Sequence, residues 1–587
     1  MKKWWERHDK MKILLTTLNA KYIHSNLALR YLKSACSHDY PLIEMIEFTI
    51  NDAIENIIYE IYKTKAVVVG FSCYIWNIEM ILRMVPVLKK LCSDTKIILG
   101  GPEVSFDAYF LLHENPDIDF IIKGEGEESF LMLLDYLDKE KWELNQIPGL
   151  VYRVDGLCME HPDSGYIKQL SLLPDPYQDG IHLNAAQIVY YESSRGCPFQ
   201  CQYCLSSIQP GVRFLPLDRV FKELKYFIES DIKLVKFVDR TFNADSERAC
   251  SIFEYILSLR GKTVFHFELG AHLINQRMMY ILKNAPVGIF QFEIGVQTTN
   301  QVTLELINRK FGWKDIHQPI RALIQQGNIH IHLDLIAGLP AESEVTFKNS
   351  FDDVYLLEAD RLQLGFLKLL KGSGLRRNAK QFGYKYFDTP PYEVISNHDI
   401  RYETIRKLKG IENLLEKYKN SHHYENSIRF MVYHIYKSPY DFFEAFWLFW
   451  EQKKYYTTGK SSMQLLDILY EFGNSIIREE RGIWIEILKL DYIMEEKRSI
   501  RPEWMSSNYS EELQEDITKF YRNEIVELIP DLQGLSSRQR WKLTHIERFS
   551  FDLLGYLVEF AQQIHDPMYL LFNYMDKGSI IKIHIHK

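Results

Sequence analysis

Short apolar runs, each followed by a helix-period pattern, recur through the first 370 residues, and this alternation limits the fold more than any other feature. Between residues 11 and 145 the runs are Ile13–Thr16, Ile43–Phe48, Ala66–Phe71, Ile97–Leu99 and Ile118–Ile122, with helical patterns near 26–36, 51–63, 77–92 and 127–140. Such alternation predicts a mixed α/β fold with a Rossmann-like parallel sheet covered on both faces. Ligands of these sheets bind at the carboxyl ends of the strands. Three turns fall there: Asn19–His24, Ser72–Asn77 and Gly100-Gly101-Pro102-Glu103. A glycine pair after a strand lets a ligand come close to the backbone. A second series, Ile188–Tyr191, Leu234–Val238, Val264–Leu269, Ile289–Ile294, Ile329–Ile336 and Leu362–Leu367, repeats the strand–helix unit. In β/α barrels the chemistry gathers at the C-terminal ends of the strands.

The loop after Ile188–Tyr191 reads Cys197-Pro198-Phe199-Gln200-Cys201-Gln202-Tyr203-Cys204. Thiolates are soft ligands that suit zinc and iron–sulfur clusters. Three ligands on a four-iron cluster leave one iron open to a substrate or cofactor. The other cysteines, Cys36, Cys73, Cys92, Cys158 and Cys250, are scattered, unlike a secreted disulfide framework.

With an aromatic residue, Tyr203, before the third cysteine, this motif resembles that of the radical S-adenosylmethionine (SAM) superfamily. The resemblance implies an open, partial (β/α)6 barrel over residues 188–375. Cys197, Cys201 and Cys204 would hold a [4Fe–4S] cluster whose open iron binds SAM. The reduced cluster would cleave SAM to methionine and a 5′-deoxyadenosyl radical. Three further segments are similar to family motifs: Asp239-Arg240-Thr241-Phe242-Asn243, Glu293-Ile294-Gly295-Val296-Gln297, and Asp334-Leu335-Ile336-Ala337-Gly338-Leu339-Pro340-Ala341-Glu342. They nominate Tyr203, Asp239, Gln297, Asp334, Ile336 and Gly338 as SAM contacts. Asp239 also fits a strand-end cap, Glu342 a helix start, and Arg309 a solvated surface residue.

Gly100-Gly101-Pro102-Glu103-Val104 and, further on, Gly124-Glu125-Gly126-Glu127 together resemble the cobalamin-binding domain that precedes many radical SAM domains. The resemblance covers residues 11–145 and implies cobalamin contacts at Ser72, Gly100, Gly101 and Glu125, with Tyr74 or Trp76 against the corrin. The D-x-H-x-x-G motif of cobalamin mutases is missing from the sequence. Cobalamin is therefore expected without a histidine beneath cobalt, and His24 reads as an ordinary loop residue. Methyl transfer through cobalt to an unactivated carbon is the implied reaction, with a flavodoxin- or ferredoxin-type electron donor. A methylthiotransferase acting on RNA or protein, using Cys36, Cys73 and Cys92 for a second cluster, is an alternative enzyme reading. A non-catalytic cobalamin or redox sensor is the alternative from another class.

Residues 146–187 read as a linker containing a hairpin of Val151–Val154 with Tyr166–Leu170. Gly372-Ser373-Gly374 and Pro390-Pro391 mark a boundary, and residues 395–587 read as mostly helical with a terminal hairpin around Asp576-Lys577-Gly578. Phe442–Trp450 is the densest aromatic run and reads as helix core. This region resembles a domain of unknown function that accompanies some cobalamin-type radical SAM proteins. A net charge of −8 supplies no basic field, so no nucleic-acid partner is expected. No apolar run reaches the roughly 18 residues of a membrane span. The leading ten residues read as a ragged extension without a signal-type segment, and a reducing cytoplasm is expected.

Overall fold

The computed structural model describes residues 11–162, 166–178, 187–208, 211–495, 501–505, 511–559, 567–576 and 579–583. The expected N-terminal extension and the Lys577-Gly578 turn lie outside the described residues. The chain divides into two compact units, one comprising residues up to Ser350 with Leu357–Ile405, the other Phe351–Leu356 with Arg406 onward. Among the described residues no helix is long and apolar enough to cross a membrane.

The first unit begins with a sheet of β1 (Ile13–Asn19), β2 (Ile43–Thr49), β3 (Val68–Ser72), β4 (Lys96–Gly100), β5 (Phe120–Ile122), β6 (Leu150–Val154) and β7 (Leu157–Glu160), in the order β2-β1-β3-β4-β5-β6-β7. The pairings among β1 to β5 are parallel. Strand order reverses between β1 and β3, which opens a crevice at their carboxyl ends. Helices α1 (Leu27–Cys36), α2 (Ile54–Thr64), α3 (Ile78–Leu91), α4 (Ala108–Glu114) and α5 (Glu127–Lys139) supply the covers. Leu14, Leu18, Val69, Phe71 and Leu99 pack with α2, α3 and α4, while Ile13, Leu15, Val68 and Ile98 pack with α1 and α5. The alternation of the two sets along each strand is what a sheet buried on both faces requires. Asn26 starts α1 by accepting from the Leu29 amide at 2.9 Å. Helix α4, only seven residues long, shows too few turns for its period to be read in the sequence. The expected hairpin partner of β6 is also corrected: β7 pairs with it antiparallel, while Leu170–Leu172 form a 3-10 turn. Asp155 and Gly156 both take positive φ in that tight connection.

The second sheet of this unit contains β8 (Val189–Tyr191), β11 (Leu234–Phe237), β12 (Val264–Glu268), β13 (Phe290–Gln297), β14 (His330–Ala337) and β15 (Arg361–Phe366). Its order β15-β14-β13-β12-β11-β8 is sequential and every pairing is parallel, as in a partial β/α barrel. In β13, Phe290, Phe292, Ile294 and Val296 are buried, whereas Gln291, Glu293, Gly295 and Gln297 on the other face are half-buried. A separate two-stranded hairpin, β9 (Ser194–Cys197) with β10 (Gly211–Phe214), stands at the end of β8. The first unit ends beyond the boundary expected at 371–395. Leu375 donates to the Gln202 carbonyl at 2.9 Å, and β16 (Lys385–Tyr386) and β17 (Val394–Ser396) belong to the same unit.

The second unit is helical, with long helices at Pro439–Lys453, Ser462–Ile476 and Arg481–Glu495. Phe442, Phe443, Phe446 and Trp450 are buried, so the aromatic run is helix core. A third strand, β18 (Thr544–Phe549), adds to β19 (Met568–Asn573) and β20 (Ser579–Ile583) in an antiparallel sheet. Its sequence, Thr-His-Ile-Glu-Arg-Phe, carries buried Glu547 where an apolar residue would have announced a strand.

Candidate active site

Cys197 ends β9 directly after Gly196, whose φ is +101°. A Cβ at Gly196 would lie 2.2 Å from the Gly211 carbonyl oxygen, so the hairpin closes this tightly only with glycine there. The loop that follows is tied down on the barrel side. The Gln202 amide donates to the Ile307 carbonyl at 2.9 Å, and Asn308 Nδ2 donates to the Gln200 carbonyl at 3.0 Å. Cys197, Cys201 and Cys204 thereby line one cavity of about 240 Å3 together with Tyr203, Glu268, Glu293, Gln297, Arg309 and Asp334.

Arg309 is no surface residue. Its Nη1 donates to Tyr203 Oη at 2.9 Å, its Nη2 to the Gly295 carbonyl, and its guanidinium lies 4.3 Å from the Phe311 ring centroid. Burial pushes the Cys201 thiol pKa up, and Arg309 opposes that. Burial, then the charges of Glu293 and Glu268, push Asp334 up to about 8. Burial likewise raises Glu268 to about 7, against the pull of Arg240. Asp334 Oδ1, Gln297 Oε1 and Arg309 Nε are buried polar atoms without a hydrogen-bond partner. Gln297 also holds a positive φ of 71° at a bulge in β13. Strained, unsatisfied polar groups around a cavity mark a place built for a ligand. Three soft donors and these orphaned polar atoms fit a thiolate-held cluster with a polar molecule beside it.

The remaining nominated SAM residues lie elsewhere. Asp239 is 1% exposed and outside the cavity lining. Its carboxylate accepts from the Ser193 amide at 2.7 Å, from Ser193 Oγ at 2.7 Å and from Ser194 Oγ. It is a strand-end latch that bends β8 into β9, its carboxylate held by the two serines outside the cavity lining. Ile336 and Gly338 are outside the lining too. Ile336 is partly buried against the apolar core that includes Leu339 and Leu367, and the Gly338 carbonyl accepts from Tyr384 Oη at 3.0 Å and Asn397 Nδ2 at 3.1 Å. Glu342 is buried, accepts from Thr298 Oγ1, and precedes the helix Glu344–Tyr355; burial raises it to about 8.

A second cavity, of about 1110 Å3, opens at the carboxyl ends of β1, β3 and β4. This is at the upper limit of ordinary small-molecule pockets, about 300–1,000 Å3, and fits a cofactor of corrinoid size. Ser72, Gly100, Gly101 and Glu125 all line it. Tyr74 and Trp76 stack at 4.5 Å between ring centroids and form part of its wall. Two details differ from expectation. Gly101 has a φ of +110°, and its Cβ would lie 2.5 Å from the Cys73 carbonyl oxygen, so the chain's own turn demands glycine. Glu125 is occupied by protein: it accepts from Arg213 Nη1 at 3.0 Å and the Ile167 amide at 2.9 Å, and pairs with Arg195 at 3.3 Å. Burial opposes its ionisation, but Arg213 and Arg195 outweigh that and lower its pKa. His24 lines the cavity with Nδ1 2.7 Å from Tyr190 Oη.

The two cavities share Ser206 and Arg240 in their walls. Arg240 falls in the Asp239–Asn243 motif, which nominated only Asp239, and no motif in the sequence singles out Ser206 or the pair Arg195 and Arg213; Arg195 is conspicuous only as the charge beside Gly196-Cys197. Cys36 and Cys73 belong to cores on opposite faces of the first sheet, so they cannot join one cluster. That removes the basis for the methylthiotransferase alternative.

Comparison with known proteins agrees with this layout. Residues 13–134 match the B12 binding domain, 191–354 the radical SAM superfamily, and 380–572 a protein family of unknown function, DUF4080. An uncharacterized methyltransferase of Pyrococcus horikoshii is 30% identical over 238 residues, 38% of this chain and 51% of the relative. The cobalamin-dependent radical SAM methyltransferase TokK of Streptomyces tokunonensis is 25% identical over 309 residues, 50% of this chain and 45% of the relative. The chain thus spans about half the length of these curated relatives. The fold is similar to that of the cobalamin-dependent SAM radical enzyme OxsB, solved with aqua-cobalamin and SAM, at a TM-score of 0.57 and 13% identity, covering 94% of this chain and 85% of that one. From the N- to the C-terminus, the chain carries a B12 binding domain, a radical SAM domain and the DUF4080 region of unknown function, in that order.

Proposed function

We propose that this protein is a cobalamin-dependent radical SAM enzyme that methylates an unactivated carbon of its substrate. The observation that carries the reading is the shared wall of the two cavities: Ser206 and Arg240 border both the cysteine-lined cavity and the strand-end cavity. A substrate at that wall is within reach of both. When bound, the cluster supplies the electron that splits SAM and cobalamin carries the methyl group. Cys197, Cys201 and Cys204 would hold the cluster, with one iron left for SAM. Gln297 Oε1 and Asp334 Oδ1 accept hydrogen bonds from the polar end of SAM, since both are buried and unpartnered. A cationic ligand favours the ionised form of Asp334 and Glu268, so binding draws protons off these two carboxyls. Arg309 ties down the cysteine loop through Tyr203. The stacked Tyr74 and Trp76 present an apolar wall to a corrin ring. Electrons come from a flavodoxin- or ferredoxin-type donor in a reducing cytoplasm.

The test is anaerobic reconstitution of the full chain with iron, sulfide and hydroxocobalamin. About four irons per chain, the content of one [4Fe–4S] cluster, are expected, together with stoichiometric cobalamin. Reduced protein should release 5′-deoxyadenosine and methionine from SAM. Cluster and SAM cleavage without cobalamin uptake would remove methyl transfer through cobalt. Cobalamin uptake without SAM cleavage would leave only a binding role.

A further inference from the structure

The Gly124-Glu125-Gly126-Glu127 turn faces the cysteine hairpin. Arg195 and Arg213 stand opposite each other in the β9–β10 pairing, two residues along each strand from the Cys197–Gly211 pair that closes the hairpin. Arg195 Nη2 contacts Glu127 at 2.6 Å and Nη1 contacts Glu125 at 3.3 Å, while Nε donates to Glu192 at 2.8 Å. Arg213 holds Glu125 from the other strand. Tyr31 covers the Arg195 guanidinium at 5.1 Å. The side chains of Arg195, Glu125 and Glu127 are 13%, 14% and 8% exposed, so the network is shielded from water and salt. Glu127 also opens α5, where its charge suits the helix N-terminus. The same turn and the same hairpin line the strand-end cavity: Gly124 to Glu127 from one side, Arg195, Gly196 and Arg213 from the other. Between Arg195 and Cys197 there is only Gly196, in a backbone packed too tightly against Gly211 to accept a Cβ. A displacement of the turn therefore passes to Cys197 through a short, rigid strand.

We propose that Glu125 and Glu127 are positioning residues for the cysteine loop, and that through Arg195 and Arg213 they make the hold of the loop on its cluster depend on whether the strand-end cavity is filled. This rests on the reading of that cavity as a cobalamin site. It goes beyond that reading by giving the acidic turn a partner on the barrel side instead of a cofactor contact. A ligand that packs against Gly124 and Gly126 braces the turn; the braced turn holds both arginines, and the arginines hold the strand that ends in Cys197. Coupling of this kind needs a chain of contacts with little slack, which the buried ion pairs and the closed hairpin supply.

The experiment measures iron loss to a chelator from the anaerobically reconstituted full chain, with and without cyanocobalamin. In the parent, cyanocobalamin should slow iron release by about fivefold or more, the lower end of ordinary coupling between sites. Glu125→Gln and the double variant Glu125→Gln, Glu127→Gln should still take up cyanocobalamin and iron but lose the slowing. Should the double variant fail to fold, Arg213→Met cuts the same link from the hairpin side and keeps Arg195 paired with Glu127 and Glu192. A purely structural role would lower iron content equally with and without cyanocobalamin and preserve the ratio of rates; that result overturns the inference. Cyanocobalamin uptake by the parent with no change in iron release also overturns it while leaving the cobalamin reading intact. Absence of uptake removes both.

Discussion

Asp239→Ala and Gln297→Ala are expected to fail in different ways, although both residues stand at strand ends beside the cysteine loop. Asp239 accepts from the Ser193 amide, Ser193 Oγ and Ser194 Oγ, and Ser193 and Ser194 are 1% and 4% exposed. Alanine leaves those donors buried without an acceptor, and Arg248, bound to the Ser193 carbonyl at 3.3 Å, loses its nearby negative charge. Removing one side of a buried charged network costs roughly 3–5 kcal/mol. The damage falls on the bend between β8 and β9, so cluster content should drop with stability. Gln297 Oε1 makes no hydrogen bond in the protein, so Gln297→Ala breaks none there. Its stability change should stay within about 1 kcal/mol, while SAM affinity falls about tenfold, the equivalent of one hydrogen bond of about 1.4 kcal/mol. Both variants are compared with the parent by thermal melting, iron content after reconstitution, and equilibrium dialysis of SAM against the cluster-loaded chain. Asp239→Asn, which keeps the shape and part of the acceptor capacity, should fall between alanine and parent in melting temperature. An Asp239→Ala protein with parental melting and iron but weak SAM binding would refute the latch and restore Asp239 as a SAM contact.

Gly101→Ala should lower stability by about 3 kcal/mol or more from positive φ and the Cys73 clash, whereas Gly100→Val, whose Cβ would meet only the Ile122 carbonyl at 3.7 Å, should melt near the parent and exclude hydroxocobalamin; equal uptake by Gly100→Val and parent would move the cofactor away from β4. SAM affinity should rise between pH 6 and 8 and then level, because Asp334 and Glu268, held up to about 8 and about 7, must ionise to meet a cation; Asp334→Asn should flatten most of that slope in dialysis. In the second unit, burial alone would raise Glu547, but hydrogen bonds from His545 and Arg501 and the charge of Lys489 bring it down to about 2 from 4.5. A depressed carboxyl pKa stabilises the fold above the unfolded value and loses that contribution as pH falls toward the folded one. About 3 kcal/mol should therefore disappear between pH 4.5 and 2, and acid titration of Glu547→Gln, followed by tryptophan fluorescence, should lack that loss.

The sequence by itself determined the parallel strands of both sheets, because β1, β3, β4 and the barrel strands are local apolar runs with helical spacers, and burial on both faces leaves such runs few alternatives. It determined the cysteine loop as well, since three soft ligands within eight residues at a strand end need no distant partner to be recognised. The direction of each carboxylate was decided only by the tertiary structure. Asp239 and Asp334 both belong to family-like motifs at or near strand ends, yet Asp334 sits in β14 at the cavity while Asp239 is bent under the β8–β9 turn by two serines that precede the cysteines. Glu125 shows the same limit. Its partner Arg213 lies 88 residues away, and nothing local announces an ion pair that forms only when the first sheet meets the hairpin. The β18 strand escaped for a related reason: Glu547 is tolerated at 0% exposure only because Lys489 and Arg501 arrive from other parts of the fold to join His545 of its own strand. Periodicity is written between neighbours in the chain and can be read there. A buried charge depends on its partner, and folding chooses that partner from anywhere in the chain.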